Sequence, residues 1–124
     1  MEVCILGDFR QPKSMLSINK ALLSKMRDYS LKSKLEESCG LVVKSGQGLE
    51  FVPCINECDN REDMFRISHI KMLSHDVRFI FHSHPSGSAR PSKFDIMYSN
   101  EIGIPFLIYS VPDDNFNLYT NKRV

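Results

Sequence analysis

The sequence has no long uninterrupted hydrophobic run. Its most apolar stretch, IGIPFLIYSV, is broken by Gly103 and Pro105 and falls well short of the roughly 20 residues a membrane-spanning helix needs. No membrane insertion is expected. The start, MEVCILGDFRQ, lacks a basic segment and has only a very short apolar run, so no signal peptide is expected either. Charge of one sign is also missing: 16 Lys and Arg face 15 Asp and Glu, a net +1. That balance gives no general affinity for nucleic acid or an acidic membrane, and any partner must be recognised locally. Cysteine is sparse. Cys4, Cys39, Cys54 and Cys58 sit in a chain of 124 residues that is 42% hydrophobic, enough to build a core without disulfides, so all four are expected as free thiols of a reducing cytoplasm. Cys54-x-x-x-Cys58 has no second Cys/His pair at finger-like spacing and is not read as a metal site. With no repeat, low-complexity tract or linker, residues 1–124 are expected to form one domain.

Residues 3–6, VCIL, predict a short edge strand, followed by an irregular loop, GDFRQPK. From Ser17, the positions Ile18, Ala21, Leu22, Met26 and Tyr29 follow the helical period, with Lys20, Lys25 and Arg27 facing outward. CGLVVK and LEFVPCIN predict a hairpin turning at Ser45 to Gly48. A polar stretch, DNRED, leads through FRIS to a short helix, HIKMLSHD, whose His69 and His75 lack patterned partners. IPFLIYSV and NFNLYT predict a second hairpin across Pro112, Asp113 and Asp114. The order helix, two strands, helix, strand, helix, two strands implies an α/β sandwich with a mixed central sheet flanked by helices.

The chemistry concentrates in Val77 to Asp95, VRFIFHSHPSGSARPSKFD. Val77, Phe79 and Phe81 alternate with Arg78, Ile80 and His82, a strand apolar on both sides. Side chains two apart on a strand share a face, so His82 and His84 project together. Ser83 points to the other face and receives no catalytic role. Pro85, Ser86, Gly87 and Pro91 then break regular structure. Ser92 is the expected N-cap of a helix whose Phe94, Met97, Tyr98 and Ile102 recur at helical spacing. Asp95 in the first turn lies beside Ser92 and can turn back toward the strand end. Two imidazoles and one carboxylate are the ligand count of a catalytic zinc site, which keeps a fourth position open. A zinc hydrolase also needs a carboxylate to carry protons, and Glu36 and Glu37, just before the first hairpin, are both candidates.

The order Glu, variable interval, His-Ser-His, seven residues, Ser, two residues, Asp resembles the JAMM (MPN-plus, or JAB) metalloprotease family, whose pattern has Ser or Thr between the histidines. HSHPSGSARPSKFD matches without departure. The family places its Glu three residues before a Gly that starts the first core strand, which in ESCGLVV selects Glu37. The resemblance implies a deaminase-like JAB/MPN α/β fold and Zn2+ held by His82, His84 and Asp95. It also implies hydrolysis of a peptide or isopeptide bond, with Glu37 as general base and acid and Ser92 as donor to the oxyanion. Ser92's helix cap competes with that last role. ESCGLVV, GLEFVPCIN, HSHP with PS-x-x-D, and IPFLIYSVP are most similar to the amino-terminal domain of lambdoid phage tail-tip assembly proteins. This implies a peptide or protein substrate, other tail-tip proteins as partners, and a place in the host cytoplasm during assembly or at the virion tail tip. The cysteine-peptidase domain of such proteins is not carried over, and the short loops leave no room for the insertions that grip ubiquitin. Two alternatives stay open: a structural tail-tip or adaptor protein with a zinc site, and a cellular peptidase acting on ubiquitin-like or sulfur-carrier conjugates.

Overall fold

A computed structural model describes residues 3–7 and 18–120. Strand β1, Val3–Gly7, stands where VCIL predicts it; the loop expected after it and Ser17 lie outside the described residues. Helix α1 runs Lys20–Leu31, starting later than its periodicity predicts, because the Asn19 side chain accepts from the Leu22 N–H at 2.9 Å and caps it there. Its buried residues are Leu22, Leu23, Met26 and Ser30. The stripe is rotated from the expected one: Ala21 is exposed and Leu23 takes its place. The larger side chain gains more by burial.

Strands β2 (Cys39–Ser45) and β3 (Gly48–Cys54) form the predicted hairpin. Gly46 supplies the positive φ, 61°, that its two-residue turn requires. Gly40 packs under the Phe51 ring, and a Cβ there would lie 2.7 Å from the Val52 carbonyl oxygen. Helix α2 is shorter than HIKMLSHD predicts, His69–Leu73, and buries none of its residues. It stops where the Ser74 hydroxyl donates back to the Ile70 carbonyl at 2.7 Å.

Strand β4 (Val77–His84), helix α3 (Lys93–Ile102) and strand β5 (Phe106–Ser110) follow. Strand β6 (Asn115–Thr120) closes the second hairpin. On α3 the expected Met97 is 61% exposed, while Phe94, Tyr98 and Ile102 pack inward around buried Asp95 and Ser99. The inward face is centred on the carboxylate rather than on the apolar positions alone.

The strands form one six-stranded mixed sheet in the order β1-β6-β5-β4-β2-β3. β4 lies near its middle, antiparallel to β2 and parallel to β5. Phe79 and Phe81 face a core shared with α1, together with Leu22, Met26, Val42 and Phe116. Ile80 faces a second core under α3, with Leu41, Phe65, Phe106 and Ile108. This is the two-sided burial expected of β4. By strand alternation its histidines emerge on the α3 side. Among the described residues no helix is long and apolar enough to cross a membrane.

Candidate metal centre

His82 and His84 end β4, and Asp95 occupies the third position of α3. Ser92 and Asp95 form a capping box. The Asp95 N–H donates to Ser92 Oγ at 3.1 Å, and the Ser92 N–H donates to Asp95 Oδ2 at 2.9 Å. The cap therefore turns the carboxylate back over the helix start, toward the strand end. His84 Nε2 lies 3.0 Å from Asp95 Oδ2, and His82 Nε2 lies 3.1 Å from Asp95 Oδ1. One potential ligand atom from each of the three residues fits within 4.8 Å of the others.

The electrostatics follow from burial. His82 and Asp95 are fully buried, and His84 is 8% exposed. Burial alone pushes the Asp95 carboxyl up, but the His82 and His84 imidazoles and the Ser92 N–H outweigh it and hold Asp95 well below the usual carboxylate range. Burial drives His82 down, toward the neutral imidazole that ligates metals. His84 also loses water, yet its contacts with Asp95 and the Ser88 carbonyl carry it upward on balance. His84 Nδ1 donates to Ser88 O at 2.7 Å, which orients the ring and leaves Nε2 toward the carboxylate. Phe65 stacks on His82 with centroids 4.4 Å apart, and Phe106 meets the same ring edge-on at 5.3 Å.

His82 Nε2 and Asp95 Oδ1 lie 3.1 Å apart as an ion-pair contact, and neither atom has a partner of full hydrogen-bond geometry. Buried polar atoms without partners are costly. A cation shared among these atoms would satisfy them, and two imidazoles with a carboxylate match zinc's preferred donors. The residues present fit a metal ion. Among the described residues no other group of His, Cys, Asp and Glu does so. His69 is exposed and His75 caps α2 through the Lys71 carbonyl at 2.9 Å.

Glu37 precedes β2 and is 5% exposed, with Oε1 unpartnered. Burial, then the Asp95 and Asp63 charges, push its carboxyl up to about 8, with His84 opposing. Glu36 instead pairs with Arg61 at 3.4 Å near the surface. A depression of about 240 Å³ is lined by Lys34, Leu35, Glu62, Asp63, Pro85 and Ser86, close in sequence to Glu37 and His84. A larger one, about 430 Å³, is built around Ile55, Ile70 and Lys71 and includes none of the three metal-group residues. Neither includes Glu37, which lines a third depression of about 180 Å³ together with Glu36, Ser38, Cys39 and Asn56.

Three further contacts support the site, and of their residues only Ser83 falls inside a sequence pattern, His-Ser-His. Phe65 stacks on His82, Ser83 accepts from the Ser38 N–H at 2.9 Å, and Asn56 donates to the Glu37 carbonyl at 3.0 Å. All three contacts join segments distant in the chain.

A search of curated proteins finds no match. Among solved structures, one of a protein from Desulfitobacterium hafniense superposes with a TM-score of 0.62 at 20% identity, covering 90% of this chain and 76% of that one. A JAB1/MPN domain protein from Archaeoglobus fulgidus gives 0.57 at 23%, covering 82% of each chain. At these identities the likeness is one of fold. The family model for prokaryotic homologs of the JAB domain matches residues 19–121, a span that takes in every strand but β1, all three helices and the whole His-His-Asp group, and on that match the chain belongs to the prokaryotic JAB family.

Proposed function

We propose that this protein is a zinc-dependent peptidase or isopeptidase that acts in phage tail-tip assembly or host entry. The observation that carries the hydrolytic reading is Glu37: a buried carboxyl with a free oxygen, electrostatically coupled to the metal-binding Asp95 and His84. The phage setting rests on the resemblance of ESCGLVV, GLEFVPCIN and IPFLIYSVP to tail-tip proteins.

His82, His84 and Asp95 would hold the ion, which when bound supplies Lewis acidity for attack on a carbonyl at neutral pH. Glu37 takes the proton of the attacking water and delivers it to the departing amine, so one carboxyl serves both halves of the hydrolysis. Ser92 uses its oxygen as an acceptor in the helix cap, and its own O–H is left to donate to the developing oxyanion. The two roles of Ser92 use different parts of one hydroxyl and do not exclude each other. Phe65 and Phe106 wall His82 from water, and the Ser88 carbonyl fixes the ring of His84.

The test is cleavage of a proteome-derived peptide library by the zinc-loaded protein, compared with Glu37→Gln. Expected are discrete cleavage products from the wild type and a fall of roughly 10²–10⁴ in the variant, the usual worth of a general base. Zinc binding without any cleavage, and normal infection by Glu37→Gln phage, would leave a structural adaptor as the better reading. Cleavage confined to ubiquitin-like or sulfur-carrier conjugates would move the protein to a cellular role.

A further inference from the structure

We infer that Ser83, between the two histidines, is a positioning residue for Glu37 and works with Asn56. The inference rests on the reading of Glu37 as the proton carrier.

The ladder between β2 and β4 is regular at Cys39, which stands opposite His82. One residue further the Ser83 N–H donates to the Ser38 carbonyl at 2.9 Å, as an antiparallel pair should. The return bond differs: the Ser38 N–H donates to Ser83 Oγ, also at 2.9 Å. A side-chain oxygen has taken the place of a backbone carbonyl. Ser83 is fully buried and lies on the face opposite the histidines, so it reaches Glu37 only through the main chain of Ser38.

The other side of Glu37 is held by the segment that follows β3. The Glu37 N–H donates to the Arg61 carbonyl at 2.7 Å, and the Glu37 carbonyl accepts from Asn56 Nδ2 at 3.0 Å. Asn56 Nδ2 also donates to the Met64 carbonyl at 2.9 Å. Its Oδ1 accepts from the Cys58 N–H at 3.0 Å and the Arg66 N–H at 3.2 Å. Both donors and both acceptor sites of this amide are used. The N–H and C=O of Glu37 and of Ser38 are thus all bonded, while Glu37 Oε1 is unpartnered. The main chain is pinned on both sides and the carboxyl is left to exchange protons. Proton transfer is sensitive to misplacements of the order of 1 Å, so the clamp contributes to rate rather than to metal binding.

The experiment compares Ser83→Ala, Ser83→Thr and Asn56→Asp in the zinc-loaded protein, using the peptide best cleaved by the wild type. Asn56→Asp is isosteric, keeps the acceptor oxygen and loses both donations. Expected for Ser83→Ala and Asn56→Asp are unchanged zinc content and a kcat lower by roughly tenfold to hundredfold with KM steady. Ser83→Thr, which keeps the hydroxyl, should return kcat to within about threefold. Amide exchange at Ser38 should quicken in Ser83→Ala and not in Ser83→Thr. The Glu37 carboxyl 13C resonance should move in Ser83→Ala and return in Ser83→Thr. Unchanged kcat in both Ser83→Ala and Asn56→Asp would overturn the inference, as would loss of zinc in step with activity. If Ser83→Ala fails to fold, Asn56→Asp decides alone. Should the wild type and Glu37→Gln prove equally inactive, the hydrolytic reading fails, and the 13C resonance still judges the clamp: an unmoved signal in Ser83→Ala sinks it.

Discussion

His82 Nε2 and Asp95 Oδ1 face each other at 3.1 Å inside the protein, and neither makes a hydrogen bond. Two buried acceptor-capable atoms in that relation are best reconciled by a cation between them. The purified protein is therefore expected to bind about one zinc per chain. His84→Ala or Asp95→Ala should abolish this, since two remaining ligands hold the ion poorly. Elemental analysis of the three proteins checks it, and equal zinc in all three would remove these residues as ligands.

Zinc binding should also expel a proton from Glu37. Its carboxyl, pushed up to about 8 chiefly by burial, is mostly protonated at pH 7 in the metal-free protein. A nearby divalent cation favours the ionised form. Affinity should accordingly rise with pH toward about 8 and then flatten as far as Glu37 is concerned. Calorimetry at pH 7 in buffers of different ionisation enthalpy should find about one more proton released by the wild type than by Glu37→Gln. Equal release would detach Glu37 from the metal.

Cys39, Cys54 and Cys58 are free thiols, but they are not equally available. Cys39 is fully buried, and burial followed by the neighbouring Cys54 pushes its thiol far above the ordinary range. Cys54 is buried and also shifted up, whereas Cys58 is half-buried. An alkylating reagent should modify Cys58 well before Cys39 or Cys54 in the native protein, and all four cysteines of the sequence once it is denatured. Mass mapping at early and late times distinguishes this order. Fewer than four alkylated sites in denatured, unreduced protein would overturn the thiol reading.

The turn between β5 and β6 makes a separate prediction at alkaline pH. The Tyr109 hydroxyl donates to Asp114 Oδ1 at 2.5 Å, and Arg27 Nε donates to the same oxygen at 2.8 Å. Burial, reinforced by Asp114, pushes the Tyr109 phenol up from 10.0 to about 12. The folded state keeps a proton that the unfolded chain releases in that window. The associated stability is complete below pH 10 and is lost as pH rises toward 12. Tyr109→Phe should be less stable by about 1 kcal/mol at neutral pH and should lose that alkaline slope. Urea titrations at several pH values would show it; identical slopes would remove Tyr109 as the cause.

The parts of the site that were legible in the sequence are those whose geometry is local. Strand alternation puts His82 beside His84, and the first turn of α3 puts Asp95 beside Ser92, so spacing alone points to the group that could hold a metal. Glu37 is different. Its position depends on β2 pairing with β4, and the family pattern was needed to prefer it over Glu36. Asn56 and Phe65 carry no signal in the sequence, and Ser83 stands in the His-Ser-His pattern without an assigned role, because each acts through a partner 17 or more residues away, where no periodicity points. The two misplaced helix positions, Ala21 and Met97, share a cause: a period identifies a stripe, but tertiary packing decides its rotation.

The split between the local His-His-Asp group and the distant Glu37 also has a consequence in time. His82, His84 and Asp95 lie within a 14-residue segment, whereas the bond that seats Glu37 spans a separation of 45 residues. Closing the longer loop carries the greater entropy cost and requires β2 and β4 to have paired. A folding chain can therefore bring together His82, His84 and Asp95, which could hold a metal, before Glu37 is seated. On the proposed hydrolytic reading, metal uptake and hydrolytic competence would then be separate events.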